Sequence, residues 1–379
     1  MYISAIILIA LIVGAYATYN LLSTSPESNP KTTSEQPAIP NSSPASTTSG
    51  ATANSSPNPT SKTVNIADFA GNPVALSVPI RTVVVLEPYI ATYIYALNSE
   101  NTIVGRSNTT EWPIDILKVP DVGGGSSSSV SAELILQLKP DLVIGSVRDT
   151  ATLEAFQQAN IPIFQIYSTP STSDPHNETS VILKGAELVN TLGTIFGKEQ
   201  RASDIANYIT SQANLISSRI ETLVRNQKPL VFFEVFQPYQ TLVTPYIHQT
   251  GGINIAENET FYYPTMSAES VVQQSPDIII QFISSATHNQ ADFEAAQQSV
   301  LSRPELTSCN AILKKQVYIM DWAAEGGGGN LFDIVGYLQW AKWIQPALFS
   351  DINPMDVQTH ICNTWLGSVE RAGTYWYPS

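Results

Sequence analysis

The tightest constraint on this chain is that part of it occurs twice. Residues 131–144 read SAELILQLKPDLVI and residues 267–280 read SAESVVQQSPDIII, seven identities in fourteen positions at a constant offset of 136. A repeat that preserves order as well as residue type implies two copies of one folding unit. Ser131 and Ser267 stand where helix N-caps stand. Glu133 and Glu269 fall in the first helical turn, where the helix dipole favours negative charge. Leu134, Ile135 and Leu138 in one copy, and Val271 and Val272 in the other, supply a short apolar face. Pro140 and Pro276 stop the helix. The apolar runs that follow suit strands buried on both faces of a parallel sheet.

The remaining chain sorts onto the same plan. Strands are predicted at Thr82–Leu86, Ile103–Gly105, Ile161–Ile166, Leu230–Val235 and Gln316–Met320. Helices are predicted at Ala91–Leu97, Ala151–Ala159, Phe293–Leu301, Leu331–Ala341 and Pro354–Leu366. Two long amphipathic helices, Thr179–Gly197 and Glu199–Arg225, lie between the copies, so one of them is expected to join two lobes. Alternating strands and helices give an α/β class with mostly parallel sheets. The expected architecture is two Rossmann-like lobes joined by a long helix, with a ligand cleft between them at the C-terminal strand ends. The boundaries expected are 63–178 for the N-terminal lobe, 179–227 for the linking helices, 228–350 for the C-terminal lobe and 351–379 for a C-terminal helix and tail.

Ahead of the lobes, Ile3–Leu22 is apolar and uncharged. Twenty residues at ~1.5 Å each match the bilayer core. The segment 1–22 reads as a membrane anchor, or as a signal segment cleaved after Ala15-Tyr16-Ala17. No Cys follows it, which argues against a lipoprotein anchor. Residues 23–62 read as a Ser/Thr/Pro-rich disordered stalk, since 25 of the 39 residues from Ser23 to Ser61 are Ser, Thr or Pro. A stalk fits a domain tethered to the outer face of a membrane. Asn-x-Ser/Thr sequons at Asn41, Asn54, Asn108, Asn177 and Asn258 fit the same location.

Composition removes other classes. A net charge of −14 excludes a nucleic-acid partner. Two cysteines leave no zinc or iron–sulfur framework. In an extracytoplasmic setting Cys309 and Cys362 either form a disulfide or stay as two buried thiols. His176, His248, His288 and His360 are widely spaced and read as surface or capping residues, so no metal site is expected. No G-x-S-x-G elbow occurs, and the glycine runs 123–125 and 326–329 lack the pattern of a phosphate loop. No catalytic constellation and no resident cofactor are expected.

The runs VVVLEPYIATYIYALN, IVGR and VPDVGGG, followed by SAELILQLKPDLVIG, resemble the first lobe of class III periplasmic binding proteins. VFFEV, QTGGINIAEN, SAESVVQQSPDIII and KKQVYIMD resemble the second lobe, and the ending from QWAKWIQPALFSDINPMD through GTYWYPS resembles archaeal members associated with iron-complex transport. The likeness covers about residues 63–379. One departure is Thr92, where the family often carries Glu. The resemblance implies a receptor that hands an iron–siderophore or similar metal chelate to an ABC transporter, a permease dimer with its cytoplasmic ATPase. Cobalamin or another corrinoid, haem, and a sensor or adhesin role on the same fold are the alternatives. It also implies that Glu133 and Glu269 dock the permease, one per lobe. Loops after strands supply the ligand-binding candidates Tyr89, Arg106, Trp112, Arg148, Tyr239, Tyr246, Tyr263, Gln281 and Trp322. Aromatics hold flat chelates by stacking, and Arg148 is placed to pair with an anionic one.

Overall fold

The computed structural model describes residues 61–124, 130–166, 181–261, 263–284, 288–321, 330–368 and 373–378. The apolar N-terminal segment, residues 23–60 of the expected stalk, His176, Asn177 and Trp322 lie outside these residues, and Lys62 belongs to the first strand rather than to the stalk.

A hairpin opens the fold, β1 (Lys62–Ala67) pairing antiparallel with β2 (Pro73–Val78). The sequence carried its signals. Val74, Leu76 and Val78 alternate inward, and the Asp68 carboxylate accepts from the Ala70 and Asn72 amides at 2.9 and 2.7 Å in a turn closed by Gly71 at φ 83°.

The first lobe is a four-stranded parallel sheet of β3 (Val83–Val85), β4 (Ile103–Arg106), β5 (Leu142–Gly145) and β6 (Ile163–Gln165), in the order β4-β3-β5-β6. Its helices are α1 (Pro88–Ala96), α2 (Ala132–Leu138) and α3 (Thr150–Gln158). The second lobe places β7 (Leu230–Glu234), β8 (Ile253–Asn254), β9 (Ile278–Ile283) and β10 (Val317–Asp321) in the order β8-β7-β9-β10. Numbered within each lobe, both sheets run second, first, third, fourth, so the repeat is a duplication of topology as well as of sequence. An antiparallel β11 (Trp376–Tyr377) closes the β10 edge, so the C-terminal tail is part of the second lobe.

The repeat is realised atom by atom. Ser131 accepts from the Leu134 amide at 3.3 Å, and Ser267 from the Ser270 amide at 3.1 Å, capping α2 and α7 (Ala268–Gln274). Both helices end one residue before the proline, on Lys139 and Ser275 in the left-handed region at φ 47° and 45°. The aspartates then tie strands together. Asp141 accepts from the Arg81 and Thr82 amides at 3.0 Å, and Asp277 from the Leu230 amide at 3.2 Å.

Two helices link the lobes, α4 (Val181–Phe196) and α5 (Glu199–Ile220). Arg201 and Arg219 on α5 lie eighteen residues apart, about five turns, and so share a face. Arg201 donates to Ala96 O, at the end of α1, and to Trp365 O at 3.0 Å. Arg219 forms a bidentate pair with Asp351 at 2.6 and 2.8 Å and donates to Leu348 O. The helix is therefore pinned near both ends. One core cluster runs from α1 and α4 through α5 to α10 (Asp333–Ile344) and α11 (Pro354–Trp365), spanning both lobes. Separate clusters fill the far face of each sheet.

The disulfide alternative is corrected. Cys309 is buried in the far-face cluster of the second lobe, against Phe293 and Ile319, whereas Cys362 on α11 belongs to the cluster shared by the lobes. The sheet separates them, and neither is bridged. Alkylation after denaturation without reductant is expected to label two thiols per chain; zero labelled thiols would restore the bridge.

Candidate ligand site

In a sheet ordered second, first, third, fourth, the chain leaves the first and third strands in opposite directions, and a crevice opens between them at their C-terminal ends. Each lobe has one such point, at β3/β5 and at β7/β9.

At the first, Leu86 N donates to Ile144 O at 2.9 Å, pressing the β3 exit against β5. A Cβ on Gly145 would lie 2.4 Å from Leu86 Cβ, so only glycine fits there. This contact sets Glu87 beside the Ser146–Arg148 loop. The Gln165 side chain ties that loop down, accepting from Val147 N at 3.2 Å and donating to Val147 O at 3.0 Å. Glu87 is buried, 8% exposed, while Arg148 is exposed at the rim. Burial pushes the Glu87 carboxyl up to about 7, against the opposing pull of the Ser146 amide and the Arg148 charge. The point thus presents a guanidinium beside a carboxyl that can carry a proton near neutral pH, a pair able to receive an anionic oxygen.

At the second, the chain turns sharply after β7. Phe236 and Tyr239 both have positive φ, 54° and 64°. Phe236 is 64% exposed, and its ring lies 5.6 Å from that of Tyr263, 41% exposed. Exposed aromatics in sequence-distant loops give this lobe an apolar platform. Beneath it, Gln281 donates to Glu234 Oε2 at 2.9 Å, and Arg303 grips both Glu234 oxygens at 2.7 and 2.8 Å.

The candidates from sequence divide. Arg148 and Tyr263 are exposed at the two points. Gln281 is at the second point but engaged with Glu234, and Tyr239 lies under Arg303 with its hydroxyl on Glu305. Trp112 is half-buried, packed edge-on against Phe332 at 5.6 Å, where the lobes meet. Arg106 donates to the carbonyls of Ser107 and Thr110, folding its own loop. Tyr89 is half-buried against the shared core. Tyr246 is 9% exposed and packs edge-on against Tyr337 and Trp340, as core. Glu133 and Glu269 are exposed two residues after their Ser caps, with no cation in ion-pair range among the described residues. His288 is less peripheral than expected: Nδ1 lies 3.2 Å from the buried Asp321 carboxylate. Glu87 and Phe236, which lie at the two points, do not stand among the ligand-binding candidates from sequence. Glu87 reads as a polar loop residue and Phe236 as the continuation of a strand. Pro238 two residues on was the available sign of a turn. A cavity of about 740 Å³ opens at the opposite, N-terminal strand ends of the first lobe, where Asp141 is already tied to strand amides.

The chain matches the model of a family described as periplasmic binding protein over residues 83–324. It is 25% identical to a cobalamin-binding protein of Halobacterium salinarum over 225 residues, 57% of this chain and 58% of that protein. It is also 25% identical to an uncharacterized ABC transporter substrate-binding lipoprotein of Bacillus subtilis, over 57% of this chain and 68% of that one. In structure it resembles a TroA-like periplasmic binding protein, FepB of Veillonella parvula, with TM-score 0.65 and 20% identity over 83% of this chain and 99% of the other. The molybdate-binding protein MolA of Haemophilus influenzae gives TM-score 0.65 at 16% identity, over 81% of this chain and 99% of the other.

Glu87 sets a pH dependence. Its folded pKa lies above the ordinary 4.5, so the folded state holds the proton more tightly and stability falls as pH rises from about 4.5 through 7. Glu87→Gln is expected to be more stable than wild type above pH 7, by up to about 3 kcal/mol, and equal to it below about pH 4.5. Urea unfolding across pH checks this; a Gln variant less stable at pH 8 would refute it.

Proposed function

Since the chain belongs to the periplasmic binding protein family, we propose that it is the extracytoplasmic solute receptor of an ABC importer, not an enzyme, and that it captures a metal chelate between its lobes. The observation that carries this is the placement of complementary groups at the two strand-order reversal points. The first offers Arg148 beside Glu87, the second the Phe236–Tyr263 platform. A ligand suited to both has a flat apolar face and an anionic edge, as ferric siderophores and tetrapyrroles do. Because one relative is named for cobalamin, a corrinoid stands beside the ferric chelates as a candidate. Tyr89, Arg106, Trp112, Tyr239, Tyr246, Gln281 and Trp322 remain proposed contributors to ligand binding, those in the core acting by shaping the lobes rather than by exposure. The proposed location is the outer face of the cell membrane, held by the apolar N-terminal segment through the Ser/Thr/Pro-rich stalk.

A panel of ferric catecholates and hydroxamates, haem and cyanocobalamin is expected to contain a compound that binds at micromolar Kd or tighter and quenches Trp and Tyr fluorescence. Arg148→Ala is expected to weaken an anionic member by about 1–3 kcal/mol, the scale of a charged hydrogen bond. Absence of any thermal shift or quenching across the panel would overturn the ligand class.

The permease contact follows from the duplication. Glu133 and Glu269 occupy equivalent, exposed sites on α2 and α7, and arginines on a dimeric permease can take carboxylates in bidentate pairs. Glu133→Ala combined with Glu269→Ala is expected to abolish uptake in reconstituted vesicles while leaving ligand affinity and Tm nearly unchanged. Wild-type transport by the double variant would reduce both residues to helix-dipole partners, worth about 0.3–1 kcal/mol each.

A further inference from the structure

The turn after β7 is built against its own backbone preferences. A bulky aromatic at positive φ is a genuine outlier, and Phe236 combines that strain with exposure of an apolar ring. Tyr239, three residues on, repeats the strain. Such conformations persist only where the surroundings over-determine them.

The surroundings converge on one residue, Arg303, just before a short 3-10 turn (Pro304–Leu306). Its guanidinium holds the buried Glu234 carboxylate in two bonds, 2.7 and 2.8 Å. Glu234 Oε1 in turn accepts from the Tyr239 amide at 2.7 Å, fixing the far end of the turn. The same guanidinium lies 5.4 Å from the centre of the Tyr239 ring, and the Tyr239 hydroxyl bonds to Glu305, two residues after Arg303. Within the turn, Val235 N donates to Gln240 O at 2.9 Å, and Gln240 N to Gln237 O at 3.0 Å. Thr241 N donates to Pro264 O and Met266 N to Tyr239 O, both at 2.9 Å, which stitches the Phe236 loop to the Tyr263 loop. A planar fork is needed here, because a lysine ammonium cannot grip two carboxylate oxygens and lie over a ring at once.

We infer that Arg303 is a positioning residue for the aromatic platform: it touches no ligand, but through Glu234 and Tyr239 it holds the turn 235–240 in the strained form that presents Phe236 beside Tyr263. This deepens the ligand-site reading and rests on it only for the binding consequence.

Hydrogen–deuterium exchange on the full chain tests the clamp without a ligand. In Arg303→Lys, which keeps the charge and loses the fork, peptides covering 235–241 are expected to exchange at least tenfold faster. Peptides from β9 and α10 are expected to keep wild-type rates. Unchanged exchange at 235–241 would overturn the inference. Should Arg303→Lys exchange fast everywhere, Glu234→Gln, which keeps the side chain's size and breaks one of the two guanidinium bonds, decides: acceleration confined to 235–241 supports the clamp and none refutes it. The second arm uses whichever of haem, cyanocobalamin or a ferric tris-catecholate binds the wild type. Arg303→Lys is expected to weaken it about tenfold in wild type and not at all in a Phe236→Gly background, where no ring remains to position. Equal weakening in both backgrounds would make Arg303 a general stabiliser and overturn its positioning role. If no probe binds the wild type, the function proposed above fails while exchange still decides whether Arg303 holds the turn.

Discussion

Each lobe depends on a carboxylate placed where one strand begins beside another. Asp141 and Asp277 follow the proline of each repeat copy, and each accepts from amides at the start of the lobe's first strand. The backbone amides of the same aspartates donate back, Asp141 to Thr82 O and Asp277 to Leu230 O. Such a reciprocal tie fixes the register of the first and third strands, and register decides which side chains emerge at their far ends. Val85 then pairs with Ile144 and Phe233 with Ile280, and the chain leaves both strand pairs at the point where a ligand can be met. The Pro-Asp pair stops the helix and sets the strand register in two adjacent residues.

This explains what was legible. The duplication, the parallel sheets, the linking helices and the two exposed glutamates follow from local grammar that the repeat displays openly: cap, carboxylate, apolar face, proline, aspartate, apolar run. The exposed place of Arg148 at the first reversal point was legible because it follows a strand. The hairpin of β1 and β2 was legible in principle, since its alternation and Asp68 turn are sequence features, but no other segment of the chain repeats it. What could not be read depends on long-range contact. The burial of Glu87 requires Leu86 to cross over Gly145, nearly sixty residues away in sequence. The positive φ of Phe236 requires Arg303 and Glu305. The assignment of Tyr246 to the core rather than to the cleft depends on Tyr337 and Trp340, which only the fold brings near. Separation of the cysteines is of the same kind: which side of a sheet each occupies is a property of packing.

The linking helix α5 adds a constraint on motion. Arg201 fastens it to the C-terminal end of α1 in the first lobe and Arg219 to Asp351 in the second, and a continuous apolar cluster runs between. Trp112 against Phe332 adds a rigid aromatic contact across the seam. Hinge bending of the lobes would have to open this shared core, whereas small rotations about α5 would leave it closed. Adaptation to the proposed ligand therefore falls to the loops at the strand ends, where the exposed rings of Phe236 and Tyr263 stand.

The two lobes differ where they face the proposed ligand. One step beyond Val85–Ile144 the first lobe has Leu86 over Gly145, an apolar contact that needs a missing side chain. One step beyond Phe233–Ile280 the second lobe has Glu234 bonded to Gln281. The apolar solution buries the next residue, Glu87, with no bidentate partner, and the result is a carboxyl whose proton is held near neutrality. The polar solution places a carboxylate inside and matches it with an Arg fork, and that ion pair becomes the anchor of a turn. A buried charge paired in two bonds is costly to disturb, so the second lobe gains a rigid apolar platform, while the first keeps a charge-bearing edge responsive to pH. Descent from one unit thus yields two unlike halves of a site: one that can match the charge of a chelate and one that can match its shape.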